Sequence, residues 1–212
     1  MRILALELST SRGSLAWLDN DVELAREWPN DRKNSAGFFE NLKAMTKKVG
    51  NPETIVVGLG PGSYAGTRIA ISAAIGLQVS SRARLIGFPS ICVMECDADK
   101  YCAIGDARRK SFFFARIRGR KVLEGPTLYS ESGMKGELDK LDATMPIFSS
   151  DSLPQFERVV ICYPSALALA RVARESHRSF FSPPLEPIYL REPHITVPKM
   201  RIGNERNLPL LG

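Results

Sequence analysis

The residues whose types and spacing point most directly to chemistry lie in "TIVVGLGPGSYAGTRIAISAAIGL", residues 54 to 77. A β-branched run enters a turn containing Gly58, Gly60, Gly62 and Gly66 and leaves it in a stretch of small residues that reads as a helix. Exposed N–H groups and the positive end of a helix dipole make such a junction an anion site. The candidate anion or nucleotide contacts are Gly60, Gly62, Ser63 and Arg68 at the turn, with Glu7 and Ser9 at the end of the first strand. A Walker A loop is excluded, because Gly60 and Gly66 stand one position too far apart and Thr67 replaces the required lysine. A Rossmann fingerprint is one residue too long, and the next strand, "RLIGF", ends without a ribose-binding acid. The alternative is a tight turn whose glycines permit positive φ and close packing, with no ligand. Arg68 opposes the helix dipole in the first turn, so it calls for a partner carboxylate, with Glu7 the obvious choice, or a bound anion.

Other reactive groups are sparse. The two histidines, His177 and His194, are far apart in sequence and form no metal pair, so no metal site and no catalytic residue is assigned. No Ser-His-Asp or Cys-His arrangement is present either. Cys92, Cys96, Cys102 and Cys162 fit no zinc spacing and read as reduced, partly buried thiols, with Cys92 and Cys96 on one helix face. The net charge of +6 is concentrated in Arg108, Arg109 and Lys110 and again in Arg116, Arg118, Arg120 and Lys121. Such clusters attract polyanions or simply solvate a hairpin edge. Arg108 and Arg109 are the candidate nucleic-acid contacts.

The elements that must position these groups follow from periodicity. Residues 2–9, 13–18 and 22–28 read as short strands joined by tight turns. In "NSAGFFENLKAMTKKVG", Phe38, Leu42, Met45 and Val49 form one helical stripe, with Asn34 or Ser35 as cap and Gly50 as stop. A buried strand, a helix over 66–80, the strand "RLIGF" and a helix over 89–98 complete a β-β-β-α-β-α-β-α order. Beyond residue 100, "YCAIGDA", "SFFFARI", "KVLEG" and "RVVIC" read as strands. Residues 125–145 are polar and poorly periodic. Pro164 opens a helix in "PSALALARVARESH", and a proline-rich tail follows Phe181. These elements divide the chain into an N-terminal lobe, 1–100, and a smaller C-terminal lobe, 101–212. No apolar run suits a membrane span and the N-terminus lacks a secretory core, so a cytoplasmic protein without membrane contact is expected.

Several words of the sequence resemble one family in order. "ILALELSTSRGSLAWL" is similar to an "ILAIDTST" opening, "GLGPGSYAGTRIAISAAIGL" to a "GPGSFTGLRIG" signature, and "LIGFPSI" to a "GVSSL" segment. "GDARRKSFFFARI" is similar to "DARRGEVY", and "EPIYLREP" to closing "PVYLR" words. The family is TsaB, also called YeaZ and historically grouped with the M22 glycoproteases. The resemblance implies an α/β protein of the actin-like ATPase fold (sugar kinase, Hsp70, actin), with two ribonuclease H-like lobes, the second reduced. This sequence departs from the family in having Glu7-Leu8-Ser9 for the usual Asp-Thr-Ser, and Asn34 where His is frequent.

The role implied is that of a non-catalytic partner subunit in forming N6-threonylcarbamoyladenosine at position 37 of tRNA. A TsaD-type paralogue would carry out the transfer, a TsaE-type ATPase would join, and tRNA would bind through the complex. The resemblance places the TsaD contact on the two helices flanking the glycine turn, with Phe39, Ala70, Ala73 and Leu77 as candidate interface residues. The same helices could pair two copies as a homodimer. No cofactor follows from the residues alone; ATP or ADP with magnesium at the complex interface is compatible with the resemblance. The alternatives are a small actin-like ATP hydrolase or kinase and an M22-type metalloprotease.

Overall fold

Two five-stranded sheets with one shared plan make up the frame. The computed structural model describes residues 1–20, 22–30, 35–175 and 178–191; Asn34, His177 and His194 lie outside them. The first sheet contains β1 (Ile3–Glu7), β2 (Arg12–Asp19), β3 (Val22–Pro29), β4 (Thr54–Gly58) and β5 (Arg84–Phe88), in the order β3-β2-β1-β4-β5. Short turns make β1, β2 and β3 an antiparallel meander. The crossovers α1 (Ala36–Thr46) and α2 (Tyr64–Ser81) bring β4 and β5 in parallel to β1, as parallel pairing requires.

The second sheet repeats the plan with β6 (Lys100–Asp106), β7 (Ser111–Arg118), β8 (Lys121–Ser130), β9 (Ile147–Ser149) and β10 (Val159–Ile161), in the order β10-β9-β6-β7-β8. Its reduction lies in its parallel half. β9 and β10 have three residues each, and α3 (Glu131–Asp139) is the crossover from β8 to β9. The last helix, α4 (Ala166–Ala173), does not stay with this sheet but returns to pack on β1, β2 and β4.

Alternation along β1, β2 and β4 explains the layers, because successive side chains leave opposite faces of a strand. Leu4, Leu6, Leu15, Trp17, Ile55 and Val57 meet Phe38, Leu42 and Met45 of α1 and Ala70, Ile71 and Ala74 of α2. Ile3, Ala5, Ala16, Leu18 and Val56 face the other way, toward Leu169, Ala170 and Val172 of α4 and Tyr101, Ala103, Phe113 and Ala115 of the second sheet. The far side of that sheet, with Ile104 and Phe114, is covered by Met134 and Leu138 of α3. The layers therefore run α1 and α2, first sheet, α4, second sheet, α3.

Three expectations are corrected. Residues 89–98 form only a 3-10 turn at Ser90–Cys92. Their backbone is committed elsewhere: Glu95 N–H donates to Tyr163 O at 2.9 Å, and Val93 O accepts from Ser165 N–H at 3.0 Å. Cys92 and Cys96 therefore share no helix face. Residues 125–145 are not irregular, since β8 continues to Ser130 and α3 follows, capped by the Ser130 hydroxyl on Gly133 N–H at 3.2 Å. Pro164 lies before the α4 cap rather than in its first turn; Ser165 is the cap, its hydroxyl accepting from Ala168 N–H. Among the described residues no helix is long and apolar enough to cross a membrane.

Candidate functional site

A cavity of about 410 Å³ opens where the two sheets present equivalent strand ends. Ser9, Thr10 and the Pro61–Tyr64 turn line the first-sheet side, Asp106, Arg108 and Asp151 the second, and Pro187–Arg191 the rim. Glu7 ends β1 and Asp106 ends β6, the matching strand of the other sheet. The two acids behave differently.

Glu7 is completely buried and does not line the cavity. Its Oε1 accepts the Ser9 N–H at 2.7 Å, and its Oε2 has no hydrogen-bond partner. Burial pushes its pKa up, while the hydroxyls of Ser9 and Ser90 and the Ser9 N–H act in the opposite sense. A Cβ placed on Gly58 would sit 1.7 Å from Oε2, so this glycine makes room for the carboxylate.

The other glycines serve the same end. A Cβ on Gly62 would lie 2.2 Å from Ser9 O, and one on Gly66 2.1 Å from Leu8 O. Gly60 holds φ at +86°, a conformation that glycine adopts without strain. Ser63 N–H donates to Ser9 O at 2.5 Å, and the Ser63 hydroxyl caps Gly66 N–H at 3.3 Å. The turn is thus closed on the backbone of Leu8 and Ser9. Its glycine faces and the N–H groups of Gly60, Ser63 and Gly66 are occupied by the protein itself, so these groups are not free to hold the phosphates of a nucleotide.

Arg68 finds neither Glu7 nor another carboxylate in the role expected of it. Its Nη1 donates to the Tyr64 hydroxyl at 2.7 Å, its guanidinium lies 5.1 Å from the ring centre, and Tyr64 packs on Tyr189 at 5.5 Å. The positive charge is accommodated on an aromatic face. This i, i+4 pair was legible in the spacing and was missed.

On the second-sheet side, Asp106 holds Arg108 through its backbone N–H at 2.7 Å and its Nη1 at 2.8 Å. Asp151 Oδ2 accepts the Asp106 N–H at 3.0 Å; burial pushes the Asp151 pKa up, an effect that this hydrogen bond opposes and the Asp106 charge reinforces. Arg108, Arg109 and Lys110 all adopt positive φ, at 64°, 54° and 57°. Three successive non-glycine residues in that region cost about 1–2 kcal/mol each. Arg108 is therefore a wall of the cavity tied to Asp106, while Arg109 and Lys110 form the exposed tip. Sequence reasoning did not single out Asp106 or Asp151. Asp106 stood in plain view in "GDARR"; Asp151 follows a three-residue strand and gave no signal.

The outer helices carry the remaining candidates. Ala70 is fully buried beneath α2, which corrects its assignment to a partner contact. Ala73 and Leu77 are partly buried against the same core. Residues that sequence reasoning passed over complete the outward face: Ile75 is 46% exposed and Val79 79%, both on α2, while the expected Phe39 of α1 is 49% exposed. Among the described residues no group of three His, Cys, Asp or Glu side chains is placed to hold a metal ion.

Two lobes of one strand order, with the cavity between their first-strand ends, define an actin-like ATPase fold built from ribonuclease H-like halves. No protein-family model and no curated protein sequence matches the chain. Among solved structures, it resembles one described as an uncharacterised protein with similarity to peptidase YeaZ from Pseudomonas aeruginosa. That likeness has a TM-score of 0.70 at 18% identity and covers 90% of this chain and 99% of the other. It also resembles YeaZ from Pseudomonas aeruginosa, with a TM-score of 0.66 at 17% identity, over 81% of this chain and 90% of that one. The fold is that of the YeaZ-like proteins.

Proposed function

We propose that the chain acts as a non-catalytic, TsaB-type partner subunit of a tRNA threonylcarbamoyl transferase. It holds a TsaD-type paralogue of related fold in its active arrangement for making N6-threonylcarbamoyladenosine. The observation that carries this reading is the outward apolar face of α1 and α2, where Phe39, Ile75 and Val79 are exposed. Such side chains on helices that already cover a sheet have no further work inside the chain, and an exposed apolar face marks an interaction surface. Small residues beside them, Ala73 and Gly76, let a second pair of helices approach closely.

The closed glycine turn supports the same reading against a small ATP hydrolase or kinase, because such an enzyme needs those N–H groups for phosphate. ATP or ADP with magnesium then belongs to the assembled complex, and the TsaE-type ATPase joins there. The test is co-expression with the TsaD-type protein of the same organism, followed by size-exclusion chromatography with mass detection and assay of tRNA. A one-to-one complex that modifies tRNA only in the presence of this chain is expected. Separate elution under several salt and nucleotide conditions would overturn the assignment.

A further inference from the structure

The chain passes between the two sheets at two places among the described residues, 89–99 and 162–165, and these passages are paired to each other. Met94 and Pro164 form an antiparallel bridge, flanked by the Glu95 N–H to Tyr163 O bond and the Ser165 N–H to Val93 O bond. Two residues along each passage from this bridge stand Cys96 and Cys162. The two bonds join 93 to 165 and 95 to 163, so the 94/164 pair is of the non-hydrogen-bonded kind. Such a pair holds its Cα atoms about 4.5 Å apart, and a bridge two residues away leaves Cys96 and Cys162 able to reach the ~4.4–6.8 Å that a disulfide accepts. Cys96 packs against the buried cluster that contains Cys162, and both thiols are free.

We propose that Cys96 and Cys162 form a thiol–disulfide site that staples the two passages between the lobes. Cys96 is the attacking thiol. It is partly exposed, and the Cys162 S–H beside it and the positive charge of Arg120 bring its pKa down to about 7. Cys162, buried against that sulfur, is shifted up and serves as the resolving thiol. The oxidant is a low-molecular-weight disulfide. The Cys96 thiolate attacks one of its sulfurs, forming a mixed disulfide and expelling one thiolate. Cys162 passes its proton to that thiolate and attacks the Cys96 sulfur, expelling the second. Two cysteine sulfurs lose two electrons, and one external disulfide becomes two thiols. Competing cysteines are poorly placed: Cys92 is buried with its thiol pushed up to about 12, and Cys102 is enclosed in the second sheet.

The test exposes the folded full chain to oxidised glutathione, blocks the remaining thiols by alkylation, and maps peptides without reduction. Two of the four cysteines should become resistant to alkylation, with a Cys96–Cys162 linked peptide two hydrogens lighter than the sum of its parts. In Cys162→Ser the reaction should stop with glutathione on Cys96, and in Cys96→Ser no glutathione should be incorporated. Four alkylated cysteines in the unmutated chain, a stable glutathione adduct on it, or a linkage through Cys92 would each overturn the proposal. The unmutated chain carries the decisive arm, so a variant that failed to fold would not shield the idea.

Discussion

Glu7 ends β1 beside the cavity, yet it points into the protein at Gly58. Its raised pKa has a definite sign. The folded chain keeps the proton at pH values where the unfolded chain, near 4.5, has lost it. The stabilisation is therefore complete below that value and is lost as pH rises through the folded pKa, at about 1.4 kcal/mol per pH unit across the window. Glu7→Gln keeps the acceptor for Ser9 N–H and removes the titration. The variant should show a flatter stability curve above pH 4.5, measured by urea unfolding at a series of pH values; parallel curves for the two proteins would contradict this. At the turn, Gly62→Ala drives a methyl into Ser9 O and should cost on the order of 1–3 kcal/mol. Gly76→Ala, which meets nothing within 4 Å on α2, should raise stability by roughly 0.5–1 kcal/mol. Equal melting temperatures for the pair would mean that the turn can open.

At the scale of elements, legibility followed locality. The stripe of Phe38, Leu42 and Met45 gave α1, and β-branched runs gave β1 and β4, because each element meets its partners along a repeating face. α3 escaped because only Met134 and Leu138 are buried and Gly133 and Gly136 interrupt its nine residues. The false helix over 89–98 had a good local start in Pro89, but its backbone partners, Tyr163 and Ser165, lie far along the chain. The glycine turn was read first as an anion site, with close packing as the alternative; what packs there, the Leu8–Ser9 backbone, could not be read from its own letters. The α1 and α2 face gives a prediction at this scale. Phe39→Glu, at a half-exposed position, should cost the isolated chain about 1 kcal/mol or less, while partner affinity falls at least about tenfold because a charge is buried at the contact. Titration calorimetry checks both Phe39→Glu and Val79→Glu, and unchanged affinity in both would remove these helices from the interface.

For the molecule as a whole, the net charge of +6 is partly neutralised where it is densest. Arg116 pairs with Glu124 and Glu137, and Arg118 with Asp99. The hairpin tip with Arg109 and Lys110, beside the Arg108–Asp106 pair, remains the candidate surface for tRNA. Reversing Arg108 and Arg109 to Glu should weaken tRNA retention by the assembled complex, with a larger loss at low salt than at high salt. Filter binding across a salt series reads this directly, and a loss that ignores salt would reduce the cluster to a solvated turn.

The return of α4 to the first sheet has a practical corollary. A fragment ending before residue 100 would keep all five strands of that sheet but leave Ile3, Ala5, Ala16, Leu18 and Val56 without Leu169, Ala170 and Val172. Cutting at the apparent seam would therefore yield two sticky halves instead of two usable modules. Anyone dividing this protein for expression should make both pieces in one cell, so that the helix at the end of the chain can find the strands at its beginning.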